Sequence, residues 1–211
     1  MAILLYADNR FTSPYAMSVF VALTEKQLRF EIKTLDLAAG GNTASDYART
    51  SLTQRVPTLI DGDFALSESS AITEYLDQAY PDPAIYPADP RQLARARQVQ
   101  AWLRSDFAAI RTERPTPTLF CRRAPVPAPL STAATNSAQK LYAAANQLLG
   151  HGGDHLFDRW CIADVDLALM LNRLIMNGDD VPAGLVRYAG VQWQRPSVQQ
   201  WVAKERLAAP T

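Results

Sequence analysis

Apolar and polar positions alternate along the chain with two different rhythms, and the change falls near residue 80. Ile3-Leu4-Leu5-Tyr6 is a short apolar run suited to a buried strand. Thr12-Ser13-Pro14 then opens a helix, because Ser13 is a good N-cap and Pro14 a first helical residue with no N–H to leave unpaired. Met17, Phe20, Val21 and Thr24 give that helix its inner face, and a second strand is predicted near Phe30 to Leu37. Strand, helix and strand in so short a span imply a parallel pair with a right-handed crossover. Gly40-Gly41-Asn42 breaks the chain before a short helical piece over Ala44 to Arg49. Val56 to Leu66 reads as a tight hairpin with a type I′ turn at Asp61-Gly62. Ser67-Glu68-Ser69-Ser70 starts the next helix, with Ala71, Ile72, Tyr75 and Leu76 at helical spacing.

The order βαβ followed by ββα is the outline of a thioredoxin-like domain over residues 1–80. Residues 81–90 form a linker, with Pro81, Pro83, Pro87 and Pro90 punctuating it. Beyond it, strand signals vanish. A long helix is predicted over Arg91 to Arg114, then a Pro-rich loop from Pro115 to Pro129, and further helices over Ser131 to Leu149, Ile162 to Met176 and Gln194 to Arg206. The fold class is thus α/β followed by all-α, the helical domain occupying residues 91–211.

Composition narrows the function. The 211 residues are 48% hydrophobic and 20% charged, ordinary for a soluble globular protein. Lys plus Arg total 21 and Asp plus Glu total 21, a balance that argues against a general nucleic-acid binder. The first residues lack the basic region of a signal peptide, and no apolar run approaches the ~20 residues needed to span a bilayer, so a cytoplasmic protein is expected. Cys121 and Cys161 are too few for a disulfide framework, and His151 and His155 in a Gly-rich loop read as a surface loop, so no metal is expected.

Candidate chemistry lies where polar groups meet helix starts. Ser13 stands at a helix N-terminus, where unpaired N–H groups and the macrodipole favour an anion. The four residues Ser13-Pro14-Tyr15-Ala16 contain no thiol, so exchange through an enzyme cysteine is not expected there. A hydroxyl at that place donates a hydrogen bond to a ligand's thiolate, or is only an N-cap. Lowering a thiol pKa from about 8.5 by two units takes roughly 2.7 kcal/mol, within reach of one charge-assisted bond plus a helix terminus. Gln54-Arg55-Val56-Pro57 leads into a strand; a cis Val56-Pro57 bond would present the Val56 N–H and C=O to an extended ligand, whereas a trans bond merely opens the strand. Glu68 beside Ser69 and a helix N-terminus suits a group carrying both an ammonium and a carboxylate, as a γ-glutamyl unit does, although Ser67 to Ser70 also reads as helix capping.

Ser13-Pro14-Tyr15, Gln54-Arg55-Val56-Pro57 and the run Leu66 to Leu76 together resemble the glutathione S-transferase family, and the resemblance covers essentially the whole chain. Arg95 to Asp106 and Val191 to Arg195 are similar to its bacterial YfcF-type members. The resemblance implies a cytosolic homodimer that binds glutathione as co-substrate, with Val56 paired to the cysteinyl backbone and Glu68 and Ser69 on the γ-glutamyl end. Gln54 or Arg55 would lie near the glycyl carboxylate, and Ser13 would match the serine that one branch uses to stabilise the thiolate. That thiolate would attack a small electrophile or a hydroperoxide held against the helical domain, giving conjugation or peroxide reduction. A non-catalytic binding or dimerisation module on the same fold is the alternative.

Two departures stand out. The family's capping box in the helical domain starts with Ser or Thr, whereas Cys161 stands here with Asp164, and a thiol is a weak acceptor. Tyr6 stands near where another branch keeps a catalytic tyrosine, and is expected to be core. Trp102 and Phe107 read either as co-substrate wall or as packing, and Arg111 is a further co-substrate candidate. Arg104, Arg111 and Arg114 fall close to one helix face, facing an acidic co-substrate, paired with acids such as Asp106 and Glu113, or facing water.

Overall fold

The computed structural model describes residues 3–120 and 128–208, with side chains up to Lys204 in the last helix. Cys121 lies outside the described residues. The chain divides into two compact units, one built from the chain up to Tyr86 together with the segment from Pro196, the other from Pro87 to Arg195. The sequence instead places residues 91–211 in the helical domain, after a linker over 81–90.

In the first unit the elements run β1 (Ile3–Asp8), α1 (Pro14–Glu25), β2 (Phe30–Leu35), a short 3-10 turn (Gly41–Thr43), α2 (Ser45–Thr50), β3 (Thr58–Asp61), β4 (Phe64–Ser67) and α3 (Ser69–Ala79). The strands form one sheet in the order β2-β1-β3-β4, with β1 parallel to β2 and the other pairs antiparallel. This is the expected thioredoxin-like arrangement. Ile3, Leu5 and Ala7 alternate onto the buried face of β1, and α1, buried from Ala16 to Leu23, packs with α3 over the sheet.

The β3–β4 turn departs from expectation. Asp61 pairs with Phe64, so the loop residues are Gly62 and Asp63, and only Gly62 has positive φ; a type I′ turn needs both. Asp61 is held in the strand by the hydroxyls of Tyr75 and Tyr80, which donate to its Oδ2 at 2.9 and 2.7 Å. That hydrogen bond pushes the Tyr80 phenol up to about 12.

The last helix, α10 (Pro196–Ala208), lies on α1. Trp201 is fully buried, its ring 5.3 Å from Phe11 and 5.4 Å from Phe20, and the Ser197 hydroxyl donates to Glu25. A buried cation ties the other end of α1: Lys26 Nζ donates to Asp77 Oδ1 at 3.1 Å and to the Pro83 carbonyl at 2.8 Å.

The second unit contains α4 (Pro90–Ser105), α5 (Ala108–Glu113), α6 (Pro117–Phe120), α7 (Thr132–Leu148), α8 (Ile162–Ile175) and α9 (Ala183–Trp193). The predicted helix over 91–114 is broken at residues 106–107. Asp106 is extended, its Oδ1 accepts the Phe107 N–H at 2.8 Å, and Phe107 takes a left-handed conformation (φ 59°) that buries its ring against Trp102. Helix α9 was not foreseen, although Leu185, Tyr188, Ala189 and Gln192 carry its buried stripe at helical spacing. The central helix α8 is nearly all buried. Its Asp164 accepts from the N–H groups of Leu156 (2.7 Å) and Cys161 (2.8 Å) and from the Tyr188 hydroxyl (2.8 Å). Asp164 therefore closes the box from its side despite the weak thiol cap; burial pushes its carboxyl up while these donors pull it down.

Two stability outcomes follow from these buried groups. Lys26→Met removes the only cation bound to Asp77 among the described contacts and should cost about 3 kcal/mol, read as a lower midpoint in chemical denaturation. Asp164→Ala orphans three buried donors and should destabilise by about 3–5 kcal/mol; a loss under about 1 kcal/mol would contradict the box as the anchor of α8.

Candidate active site

Strand register gathers the sequence-predicted residues at one end of the sheet. Tyr6 of β1 pairs with Thr58 of β3, and Thr58 pairs with Ser67 of β4. The chain leaving β1 runs to Ser13, the chain entering β3 comes from Val56, and the chain leaving β4 runs to Glu68, so all three emerge beyond the same row. Neighbouring strands lie about 4.8 Å apart, so β1 and β4 are separated at this end by about 10 Å, the length of a short peptide.

Ser13 is the N-cap of α1, with extended φ and ψ (−74° and 115°). Its Oγ accepts the Ala16 N–H at 3.2 Å. The hydroxyl proton is bonded to no acceptor among the described residues, so this serine caps the helix and still has a hydrogen to donate. The capping and donor readings are therefore compatible. The turn before it hangs on Asp8, which accepts from the Thr12 and Ser13 N–H groups.

The Gln54–Pro57 segment is exposed at Gln54 and Arg55 and shaped from beneath by a buried hydroxyl cluster. Tyr47 Oη donates to the Arg55 carbonyl at 2.7 Å and lies 2.9 Å from Thr58 Oγ1, which is 2.8 Å from Ser51 Oγ. Burial pushes the Tyr47 phenol up, which keeps it a donor. Asn42 Nδ2 donates to the Gln54 carbonyl at 3.0 Å. The Val56–Pro57 bond is cis, and among the described residues no hydrogen bond takes the Val56 N–H or C=O.

Glu68, not Ser67, occupies the N-cap of α3; it is exposed, has positive φ (76°), and makes no capping bond with its side chain. Ser69 is the buried first residue of the helix. A carboxylate thus stands directly beside the amide N–H groups of a helix start, a pair of opposite electrical characters suited to a zwitterion.

Tyr6 is half-buried on the face of β1 opposite Leu5, its ring edge-on to Tyr47 at 5.1 Å and under the Lys33 ammonium at 5.5 Å. It is not part of the core under α1 and α3.

In the second unit the co-substrate candidates separate. Trp102 lines a cavity of about 540 Å³ with Arg95, Val99, Gln147 and Phe157. Phe107 is 1% exposed and packs under Trp102. Arg111 donates to the carbonyls of Leu103 (3.0 Å) and Asp106, closing the C-terminus of α4. Nor do the three arginines share a face: Arg104 reaches Asp166 at 3.2 Å, and Arg114 is buried in a two-pronged bond to Asp179 at 2.7 Å on each arm. Asp106 and Glu113 are engaged elsewhere, by Lys140 and Ser131 respectively. His151 and His155 contact each other through the His155 carbonyl, and no three metal-ligating side chains cluster among the described residues. Among those residues no helix is long and apolar enough to cross a membrane.

Sequence reasoning missed Asp8, Tyr47, Ser51 and Thr58. The only local signal was a polar residue closing an apolar strand, Asp8, four and five residues before Thr12 and Ser13.

Two family models and several known proteins match this chain. Residues 9–84 match the glutathione S-transferase N-terminal domain and residues 89–206 the C-terminal domain. A solved glutathione transferase homolog from Burkholderia gl BGR1, with bound glutathione, is 45% identical, with 99% of this chain and 100% of that chain covered and a TM-score of 0.80. A diazinon-metabolizing glutathione S-transferase of the silkworm Bombyx mori shares the fold at 24% identity, with 97% of each chain covered and a TM-score of 0.78. Among curated relatives, glutathione S-transferase theta-1 of Bos taurus is 35% identical over 103 residues, 48% of this chain and 42% of that protein. A probable maleylacetoacetate isomerase of Vibrio cholerae is 36% identical over 111 residues, 52% of this chain and 49% of that protein. The matched stretch thus spans half or less of these curated relatives' own length. With both family domains present in order along the chain, the protein belongs to the glutathione S-transferase family.

Proposed function

We propose that this protein is a glutathione transferase that ionises the glutathione thiol beside Ser13. The observation that supports it is the convergence, at one sheet end, of an uncommitted serine proton, an unpaired main-chain N–H and C=O at Val56, and the Glu68 carboxylate beside a helix start. On this reading Val56 pairs with the cysteinyl main chain as an added strand. Glu68 takes the α-ammonium of the γ-glutamyl unit, while Ser69 and the α3 amide N–H groups take its carboxylate. Gln54 or Arg55 meets the glycyl carboxylate.

The Ser13 hydroxyl donates to the thiol sulfur as it loses its proton, and the start of α1 adds its dipole. The thiolate lone pair then forms a bond to an electrophilic carbon, and the leaving group departs with the bonding pair. With a hydroperoxide, the same thiolate attacks the terminal oxygen, the O–O bond breaks, and the alkoxide leaves with the bonding pair and takes a proton to become the alcohol. A second glutathione thiol then attacks the sulfenic sulfur, forming the disulfide and releasing water. The stretches Arg95–Asp106 and Val191–Arg195 support a place in the YfcF-type branch. Family membership supports a cytoplasmic homodimer, which sedimentation tests.

Ultraviolet titration of the bound thiolate tests the central step. The bound thiol should titrate about two units below its free value near 8.5, and Ser13→Ala should return at least about one unit of that shift. An unshifted thiol in the wild type would favour a non-catalytic module. Glu68→Gln should raise the KM for glutathione about tenfold or more with kcat little changed, since the group it holds does not react.

A further inference from the structure

The proposed thiolate donor is only as well placed as the turn that carries it, and that turn converges on a single residue. β1 leaves the sheet at Asp8, which is buried at 4% exposure. Its Oδ1 accepts the Ser13 N–H at 3.0 Å; its Oδ2 accepts the Thr12 N–H at 2.8 Å and the Thr12 hydroxyl at 3.0 Å. Its carbonyl accepts the Phe11 N–H at 3.1 Å. Three consecutive amides therefore fold back onto one residue. Phe11 sits at φ 53°, a region that a bulky side chain enters only where its surroundings hold it.

Both carboxylate oxygens face N–H donors. An asparagine of the same shape offers one acceptor and one NH₂ group, so it would turn a donor toward either the Ser13 or the Thr12 amide. The arrangement demands a carboxylate, not merely a small polar side chain.

We propose that Asp8 is a positioning residue for thiol ionisation: it clamps Thr12 and Ser13 so that Ser13 Oγ accepts from Ala16 and points its proton at the bound sulfur. This rests on the reading of Ser13 given above. The clamp acts through geometry and against its own charge, because a nearby carboxylate disfavours a second anion. The sign of the effect therefore separates the two roles. Loss of a charge alone lowers the thiol pKa; loss of the clamp raises it.

The test is a thiolate titration with steady-state kinetics on the full chain as wild type, Ser13→Ala, Asp8→Asn and the double variant, together with the affinity for S-methylglutathione, which has no ionisable thiol. Asp8→Asn should raise the bound thiol pKa by about one unit, cutting the thiolate fraction, and kcat/KM below that pKa, about tenfold. Affinity for S-methylglutathione should stay within about threefold, and Asp8→Asn should add little, under about 0.3 unit, in the Ser13→Ala background. A thiol pKa unchanged or lowered by Asp8→Asn, or raised equally in both backgrounds, overturns the proposal. A parallel collapse of S-methylglutathione affinity overturns it as well, since that marks a general loss of structure. Should Asp8→Asn not fold, Thr12→Val removes one donor from the clamp and should raise the thiol pKa by a smaller amount; no rise overturns the proposal. If Ser13→Ala itself leaves the thiol pKa unshifted, the donor assignment falls and the clamp's role with it.

Discussion

The pairing of Tyr6 with Thr58 and of Thr58 with Ser67 governs where everything else in the first unit can sit. Because side chains in a strand repeat every two residues, a slip of one position would turn Leu5 and Leu59 out of the core. The register is therefore set by burial, far from any ligand, and the site inherits it. Ser13 and Val56 are 43 residues apart and Val56 and Glu68 are 12 apart, yet each lies within a few residues of the same end of this fixed ladder. The hydrophobic core thus positions a polar site that has no core of its own.

Around that frame the fold uses buried polar groups as clamps, each with two or more partners. Asp8 holds the turn to Ser13, the Tyr47–Thr58–Ser51 hydroxyls hold the carbonyl of Arg55, Lys26 holds the end of α1, and Asp164 holds the start of α8. Removing one member of such a set costs more than forming it gained, because the orphaned partners stay out of reach of water. The arginines of the helical unit follow the same logic. Arg104, Arg111 and Arg114 resemble a basic surface in sequence, but their guanidiniums bind Asp166, helix carbonyls and Asp179 within the unit.

What the sequence makes legible is local. Ser13 followed by Pro14 declares a helix start, Val56-Pro57 a special entry to a strand, and Glu68-Ser69 another helix start; each uses only adjacent residues. Three features escape because they depend on distant ones. Asp8 looks like the end of a strand until Thr12 and Ser13 fold back on it. Asp61 looks like the first residue of a turn until two tyrosines from α3 and the chain just beyond it hold it in β3. The long helix past residue 90 looks continuous until Asp106, held by Trp102 and Lys140, lets Phe107 turn under Trp102. Helix α9 is a different failure: its buried stripe was readable, but Gly184 and Gly190 lower its helix propensity. The attachment of α10 to α1 was hidden for a simpler reason, since Trp201 and Phe20 lie at opposite ends of the chain.

The most direct measurement is a crystal structure of the protein with glutathione bound. The account predicts the cysteinyl main chain paired with Val56, the ammonium against Glu68, and the sulfur within hydrogen-bonding distance of the Ser13 hydroxyl. A tripeptide seated away from this sheet end, or one seated there with its sulfur against the Tyr6 hydroxyl, would contradict it.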